Sequence, residues 1–282
     1  MNQISPRLAQ LGTKASGYVL ATLNYTRSGE PKPASYMYER PAGVPAIEER
    51  NEPHQVAIHS ARPILESLSL DRQGFALTRG HTAVRNFDDP DVLKRDYDPE
   101  VAAMVLARTG ARKAVVFDHT VRRIGGDDAS ALRRAPVYVV HNDYTTKSGP
   151  QRVRDLLPAQ EAERALKHRF AIVNVWRSIN GPVTDTPLAF ADARTVKDAD
   201  WIATDLKYPD RTGEVYRVAF NPDHRWLYVP NLQPDEVLLL KTFDSATDGR
   251  ARYMPHTAFD DPATRPGTAK RQSIESRVLA FF

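Results

Sequence analysis

From about residue 114 to the last residue, the chain is a succession of short segments rich in Val, Ile, Tyr, Phe and Trp, parted by Gly, Pro, Asn and Asp clusters. They are Ala114–Phe117, Pro136–Val140, Phe170–Val175, Pro187–Ala191, Val215–Phe220, Arg225–Val229, Val237–Thr242, Arg252–Ala258 and Ile274–Phe281. Pieces of this length read as strands, and a regular series of them closes most economically into a sandwich or barrel. The 21 prolines among 282 residues work against a helical bundle, since a proline inside a helix removes a hydrogen bond. The expected fold is therefore mainly β with flanking helices, a cupin-like double-stranded β-helix (jelly-roll) core over residues 114–282. Residues 1–113 read as an α+β layer packed on the outside, with strand-like Gly17–Asn24 and Gln55–His59 and a helix over 89–109. That helix opens at Asp88-Asp-Pro90 and closes at Gly110. A further helix, Pro158–His168, interrupts the strands, and with no linker in sight the whole of 1–282 reads as a single domain.

Charge and cysteine usage narrow the chemistry. There is no cysteine, which excludes a disulfide scaffold and thiolate-bound zinc or iron–sulfur centres. The 39 Lys and Arg are interleaved with 35 Asp and Glu and form no basic block, so no nucleic-acid partner is expected. The N-terminus is polar, and later apolar runs such as Val237–Leu240 are short, which points to a cytoplasmic chain with neither signal peptide nor membrane span.

Only one of the eight histidines begins a His-x-Asp/Glu: His141-Asn-Asp143, at the end of the strand-like Pro136–Val140. Side chains alternate along a strand, so positions 141 and 143 share a face and can share a metal. Chance alone supplies about one such triplet in a chain of this composition, so the motif by itself also reads as a strand end with an Asp opening the turn to Gly149. The C-terminal stretch strengthens the metal reading, with His256 on the penultimate strand, then Arg271-Gln-Ser273 and Arg277 on the last. Two histidines and one carboxylate make the facial triad of non-haem Fe(II) oxygenases, which leaves positions open for cosubstrate and O2. A buried arginine supplies the planar fork that a dicarboxylate cosubstrate needs.

Several ordered motifs add a family likeness. Val140-His-Asn-Asp-Tyr-Thr145, the segment Asn174–Ala189, Gly213-Glu-Val-Tyr216, Asp223–Pro230, Asp244–Arg252, Pro255–Phe259 and Arg271–Arg277 together resemble the CmcJ/NvfI family. That is a group of bacterial and fungal secondary-metabolism enzymes that includes hydroxylase/desaturase-like proteins, and the likeness runs from about Phe75 to the C-terminus. It implies a jelly-roll core, Fe(II), 2-oxoglutarate as cosubstrate with O2, and oxidation of an unactivated C–H bond of a small secondary metabolite by hydroxylation, desaturation, cyclisation or peroxidation. The alternative functions are a jelly-roll small-molecule-binding protein and a non-oxidative metal-dependent cupin enzyme.

Individual residues retain alternatives. His224 competes with His256 as third metal ligand, although Asn221-Pro-Asp-His224 reads as a turn that the histidine would hold in place. Arg271, with Ser273 as a second donor, and Arg277 share strand parity and both qualify for the cosubstrate carboxylate. Each could instead pair with Glu275 or with Asp260 and Asp261. Tyr144, Asn174, Trp176 and Arg177 are candidates for the substrate or cosubstrate pocket.

Overall fold

The computed structural model describes residues 17–123 and 133–282, and its strands build two facing sheets. The strands are β1 (Tyr18–Thr26), β2 (Ala34–Tyr36), β3 (Asn51–Ser60), β4 (Phe75–Arg79), β5 (Lys113–Arg123), β6 (Arg133–Arg134), β7 (His141–Asn142), β8 (Phe170–Ser178), β9 (Leu188–Ala191), β10 (Trp201–Lys207), β11 (Thr212–Val218), β12 (Trp226–Tyr228), β13 (Glu236–Asp244), β14 (His256–Ala258) and β15 (Gln272–Phe281). The larger sheet has the order β1-β3-β12-β9-β14-β7-β11-β10-β2, and the smaller has β4-β13-β8-β15-β5-β6. Pairing is antiparallel except for β12/β3, β10/β2 and β5/β6.

The N-terminal third is not an outer layer only. Strand β4 hydrogen-bonds along β13, and β1, β2 and β3 belong to the larger sheet, so the division expected at residue 113 does not follow the hydrogen bonding. The reason is that a single β-hairpin gains little by itself and finds its partners at the open edges of later strands. The expected helix over 89–109 is present as α1 (Pro90–Val92), a π turn at Leu93–Tyr97 and α2 (Asp98–Thr109). Asp89 caps its start by accepting from the Asp91 and Val92 amides, and Gly110 ends it in the left-handed region at φ 70°. Val101 and Val105, four apart, point into the cluster formed with Val173, Val175 and Ile274 of the smaller sheet. Each fully buried valine contributes roughly 1.5–3 kcal/mol, which holds the helix against that sheet's outer face.

Strands β8, β13 and β15 are central and buried on both faces. Their alternation matters for function. Asn174 lies opposite Arg277, Trp176 opposite Glu275, and Ser178 opposite Ser273, and these residues share the face toward the larger sheet. Val173 and Val175 take the other face, beneath α2. Two helices, α3 (Ser148–Leu156) and α4 (Ala159–Ala165), cap an apolar cluster of Tyr144, Val153, Phe170, Ile172, Phe243 and Leu279 at one end. Helix α3 departs from the sequence-based expectation, in which Asp143–Gly149 is a turn and the next helix begins only at Pro158, where α4 lies. Among the described residues, no helix is long and apolar enough to cross a membrane.

Candidate active site

The segment expected as strand Pro136–Val140 pairs along its length only in pieces. Val139 makes an isolated bridge to Asn24 of β1, and two residues later His141 lies between His256 of β14 and Arg217 of β11. This register brings the rings of His141 and His256 to 4.4 Å between centroids. Asp143 comes next, in the loop. Asn142 anchors that loop by donating to the Tyr144 carbonyl at 2.7 Å and to the Thr242 carbonyl of β13 at 2.9 Å. Thr145 and Ser148 then bond reciprocally to start α3, and the Thr145 hydroxyl donates to Glu214 at 2.6 Å.

One ligand atom from each of His141, Asp143 and His256 falls within 4.8 Å of the others, a spacing that a single metal ion can bridge. The histidines are set up for it. His141 Nδ1 lies 2.8 Å from the Val139 carbonyl, which fixes the proton there and leaves the Nε2 lone pair facing Asp143 Oδ1 at 3.5 Å. His256 is buried, with Nδ1 unpartnered. Burial and the neighbouring His141 push its pKa down to about 4, so the ring is neutral and able to donate a lone pair. Burial by itself would raise Asp143, but Arg277, together with His141 and His256, outweighs it and holds the carboxyl well below the usual carboxylate range.

His224 goes elsewhere. Its Nε2 donates to Asp200 at 3.0 Å, and its Nδ1 faces the Tyr25 hydroxyl at 3.3 Å, which itself accepts from Trp226 Nε1 at 2.6 Å. Both ring nitrogens are spent within the protein, which corrects the alternative assignment of His224 as a metal ligand and agrees with its reading as a turn-holding residue.

The two C-terminal arginines differ in the same way. Arg277 donates through Nε to Asp143 Oδ2 at 3.0 Å, through Nη1 to Asp118 and to Thr120 Oγ1, and through Nη2 to Glu275. Asp143 and Glu275 outweigh the cost of burial and keep its pKa well above the ordinary value. Arg271 has no such company. It is 3% exposed, lies over the Trp176 ring at 5.4 Å, and donates from Nη1 to the Thr186 carbonyl, while its Nε has no acceptor. Burial, reinforced by the nearby Arg122, pushes its pKa down to about 10. Ser273, two residues on, is fully buried with its hydroxyl unpartnered. Unspent donors in a dry place are costly, and an anion would use them.

Of the expected pocket residues, Asn174 reaches the site directly, with Nδ2 2.8 Å from Asp143 Oδ2. Trp176 is the shelf beneath Arg271. Tyr144 packs with Val153, Phe170 and Phe243 beneath the triad. Arg177 does not belong to the group. It lies opposite Ile274, on the face turned to α2, and donates to the Gly80 and Pro234 carbonyls at 2.7 and 2.6 Å. Strand parity separates it from Asn174 and Trp176. Asp118, Thr120 and Arg122 are site residues that the motifs do not pick out. They alternate along β5 on the face that meets Arg277, Glu275 and Ser273, and that period-two run of polar residues in a strand is their signal in the sequence.

The family described as Oxidoreductase/YMDC permease-like domain matches residues 23–281. The hydroxylase/desaturase efuI of Hormonema carpetanum is 34% identical over 94% of this chain and 95% of its own length. The Fe(II)/2-oxoglutarate-dependent dioxygenase nvfI of Aspergillus novofumigatus is 30% identical over 81% of this chain and 84% of its own. This chain belongs to the CmcJ/NvfI family. A solved structure of the iron and alpha-ketoglutarate-dependent endoperoxidase NvfI superposes with a TM-score of 0.83 at 26% identity, covering 94% of this chain and 98% of that one. The jelly-roll fold expected from the strand pattern is the fold of this CmcJ/NvfI member.

Proposed function

We propose that this chain is an Fe(II)/2-oxoglutarate-dependent oxygenase acting on a C–H bond of a small secondary-metabolite substrate. In this reading His141, Asp143 and His256 hold the iron, and Arg271 with Ser273 takes the far carboxylate of 2-oxoglutarate. The observation that carries it is the pair of unspent donors on Arg271 and Ser273, on the face that also presents Arg277 and its partner Asp143.

When bound, Fe(II) with 2-oxoglutarate and O2 supplies oxidative decarboxylation to succinate and CO2, and with it the oxidising power for a substrate C–H bond. The chain's own residues do the rest. The Val139 carbonyl orients His141, Asn142 ties the Asp143 loop to β13, and Trp176 supports the Arg271 guanidinium from below. Apolar packing on both sides of β8 and β13 excludes water from the interior. We read residues 1–282 as one domain, because strands from the N-terminal third pair in both sheets.

Anaerobic titration of the protein with Fe(II) and 2-oxoglutarate tests the proposal. A weak visible charge-transfer band is expected for the wild type and is lost in His141→Ala and Asp143→Ala. On admitting O2, succinate forms. A wild type that develops no band and binds no 2-oxoglutarate would end this reading.

A further inference from the structure

The carboxylate of Asp143 is held unevenly. Oδ1 faces His141 Nε2 at 3.5 Å, whereas Oδ2 accepts from Asn174 Nδ2 at 2.8 Å and from Arg277 Nε at 3.0 Å. Two donors occupy the lone pairs of Oδ2, and both come from adjacent central strands, where Asn174 and Arg277 are register partners. Asn174 is fully buried and its own carbonyl oxygen faces the Thr242 hydroxyl at 3.4 Å, so its amide has one orientation. Arg277 is fixed in turn, with its other nitrogens on Asp118, Thr120 and Glu275. Four of the five N–H donors of Arg277 are thereby spent inside the protein.

We infer that Asn174 and Arg277 are positioning residues that reserve Asp143 Oδ2, so that the carboxylate meets the metal through Oδ1 alone. This rests on the triad proposed above. The consequence is a count of open positions. A six-coordinate ion held by two imidazoles and one carboxylate oxygen keeps three places free, enough for a chelating 2-oxo acid and O2. A carboxylate that swung to bind through both oxygens would take one of the three. Carboxylates on hard cations bind in either mode, so a site that needs three places must prevent the second. Charge repulsion alone does not do so, because Asp143 is anionic in both modes. Directional donors on one oxygen do.

The test uses Mn(II) as a probe of the same three ligands and reads the water-proton relaxivity of the loaded protein, which scales with the number of exchangeable metal-bound waters. Asn174→Leu removes one donor, keeps every charge and retains the branched shape of the side chain. Arg277→Lys keeps the charge but cannot reach Asp143, Asp118 and Glu275 together. Mn(II) binding is expected to persist in Asn174→Leu, with the bound relaxivity falling by about one third as three waters become two. Arg277→Lys, where it folds, gives the same fall. Unchanged relaxivity in Asn174→Leu, at full Mn(II) occupancy, would overturn the inference while leaving the triad intact. If the wild type binds no Mn(II), and equally no Fe(II), the triad itself fails and the inference with it.

Discussion

Replacing Arg271 by Met should make the metal-free protein more stable and at the same time remove its response to 2-oxoglutarate. Arg271 is 3% exposed, its Nε lacks an acceptor, and among the described residues no carboxylate lies within ion-pair distance of it. Its guanidinium is charged at neutral pH in both the folded and the unfolded chain, but the fall of its pKa to about 10 means that the fold bears an electrostatic cost. That cost is roughly 3 kcal/mol, at about 1.4 kcal/mol per pKa unit. Met fills similar volume without the charge, and what it forfeits is the bond to the Thr186 carbonyl and the contact with Trp176, about 1 kcal/mol each. The net expectation is a gain of about 1 kcal/mol in the absence of ligand. With metal and 2-oxoglutarate at a hundred times the dissociation constant, the wild type gains about 2.7 kcal/mol. The variant, having lost a buried charged partner worth roughly 2–5 kcal/mol, gains almost nothing. Urea denaturation under anaerobic conditions, with and without 2-oxoglutarate, measures both arms. If the variant is destabilised by several kcal/mol without ligand, or retains the full ligand-induced gain, the idea that Arg271 is held in wait for an anion is refuted.

The same geometry sets other outcomes. His256→Ala should abolish metal binding, while His224→Ala should leave it and cost about 1–3 kcal/mol of stability by removing one donor to Asp200 and the acceptor of the Tyr25 hydroxyl; calorimetric Fe(II) or Mn(II) titration with thermal melts separates the two. Burial, aided by Lys197, lowers the pKa of His224 despite Asp200 and Asp223 around it, so the unfolded chain takes up a proton first as pH falls below about 6.5. Stability should therefore decline from pH 7 toward 5, by at most about 1.4 kcal/mol per pH unit from this one group, and His224→Gln should flatten that slope in pH-dependent denaturation. Arg177→Met should lower stability while leaving 2-oxoglutarate affinity within about twofold, since the side chain faces α2; a large loss of affinity would return Arg177 to the pocket. Gly149→Ala would place a Cβ 2.6 Å from the Phe243 ring and should cost about 1–3 kcal/mol in a thermal melt.

Much of the site was legible one strand at a time. The two-residue spacing of His141 and Asp143 is local, as is the shared parity of Ser273 and Arg277; the structure keeps that parity on β15, and it brings His141 and Asp143 together although Asp143 stands in the loop after β7. The same alternation along β8 separates Arg177 from Asn174 and Trp176 on local grounds alone. Strand β4 was less visible because its five residues gain their identity from pairing with β13, more than 150 positions away. Helix α3 was hidden behind a threonine–serine turn whose partner, Glu214, is 69 residues from Thr145.

The sequence by itself determined a β-rich chain whose one His-x-Asp sits at a strand end, with a late histidine and two arginines of matching parity, because each of these depends on neighbours within a few residues. Only the tertiary structure decided how those side chains divide their labour. Arg277 and Arg271 look alike along the C-terminal stretch. One meets Asp143 and Asp118, 134 and 159 residues away, and has four of its five donors spent on the protein, while the other meets a carbonyl and an indole and keeps a buried donor unpaired. His224 and His256 part company for the same reason. Periodicity is a property of the local backbone, whereas the pairing of charges and hydrogen bonds depends on which distant strands arrive beside it.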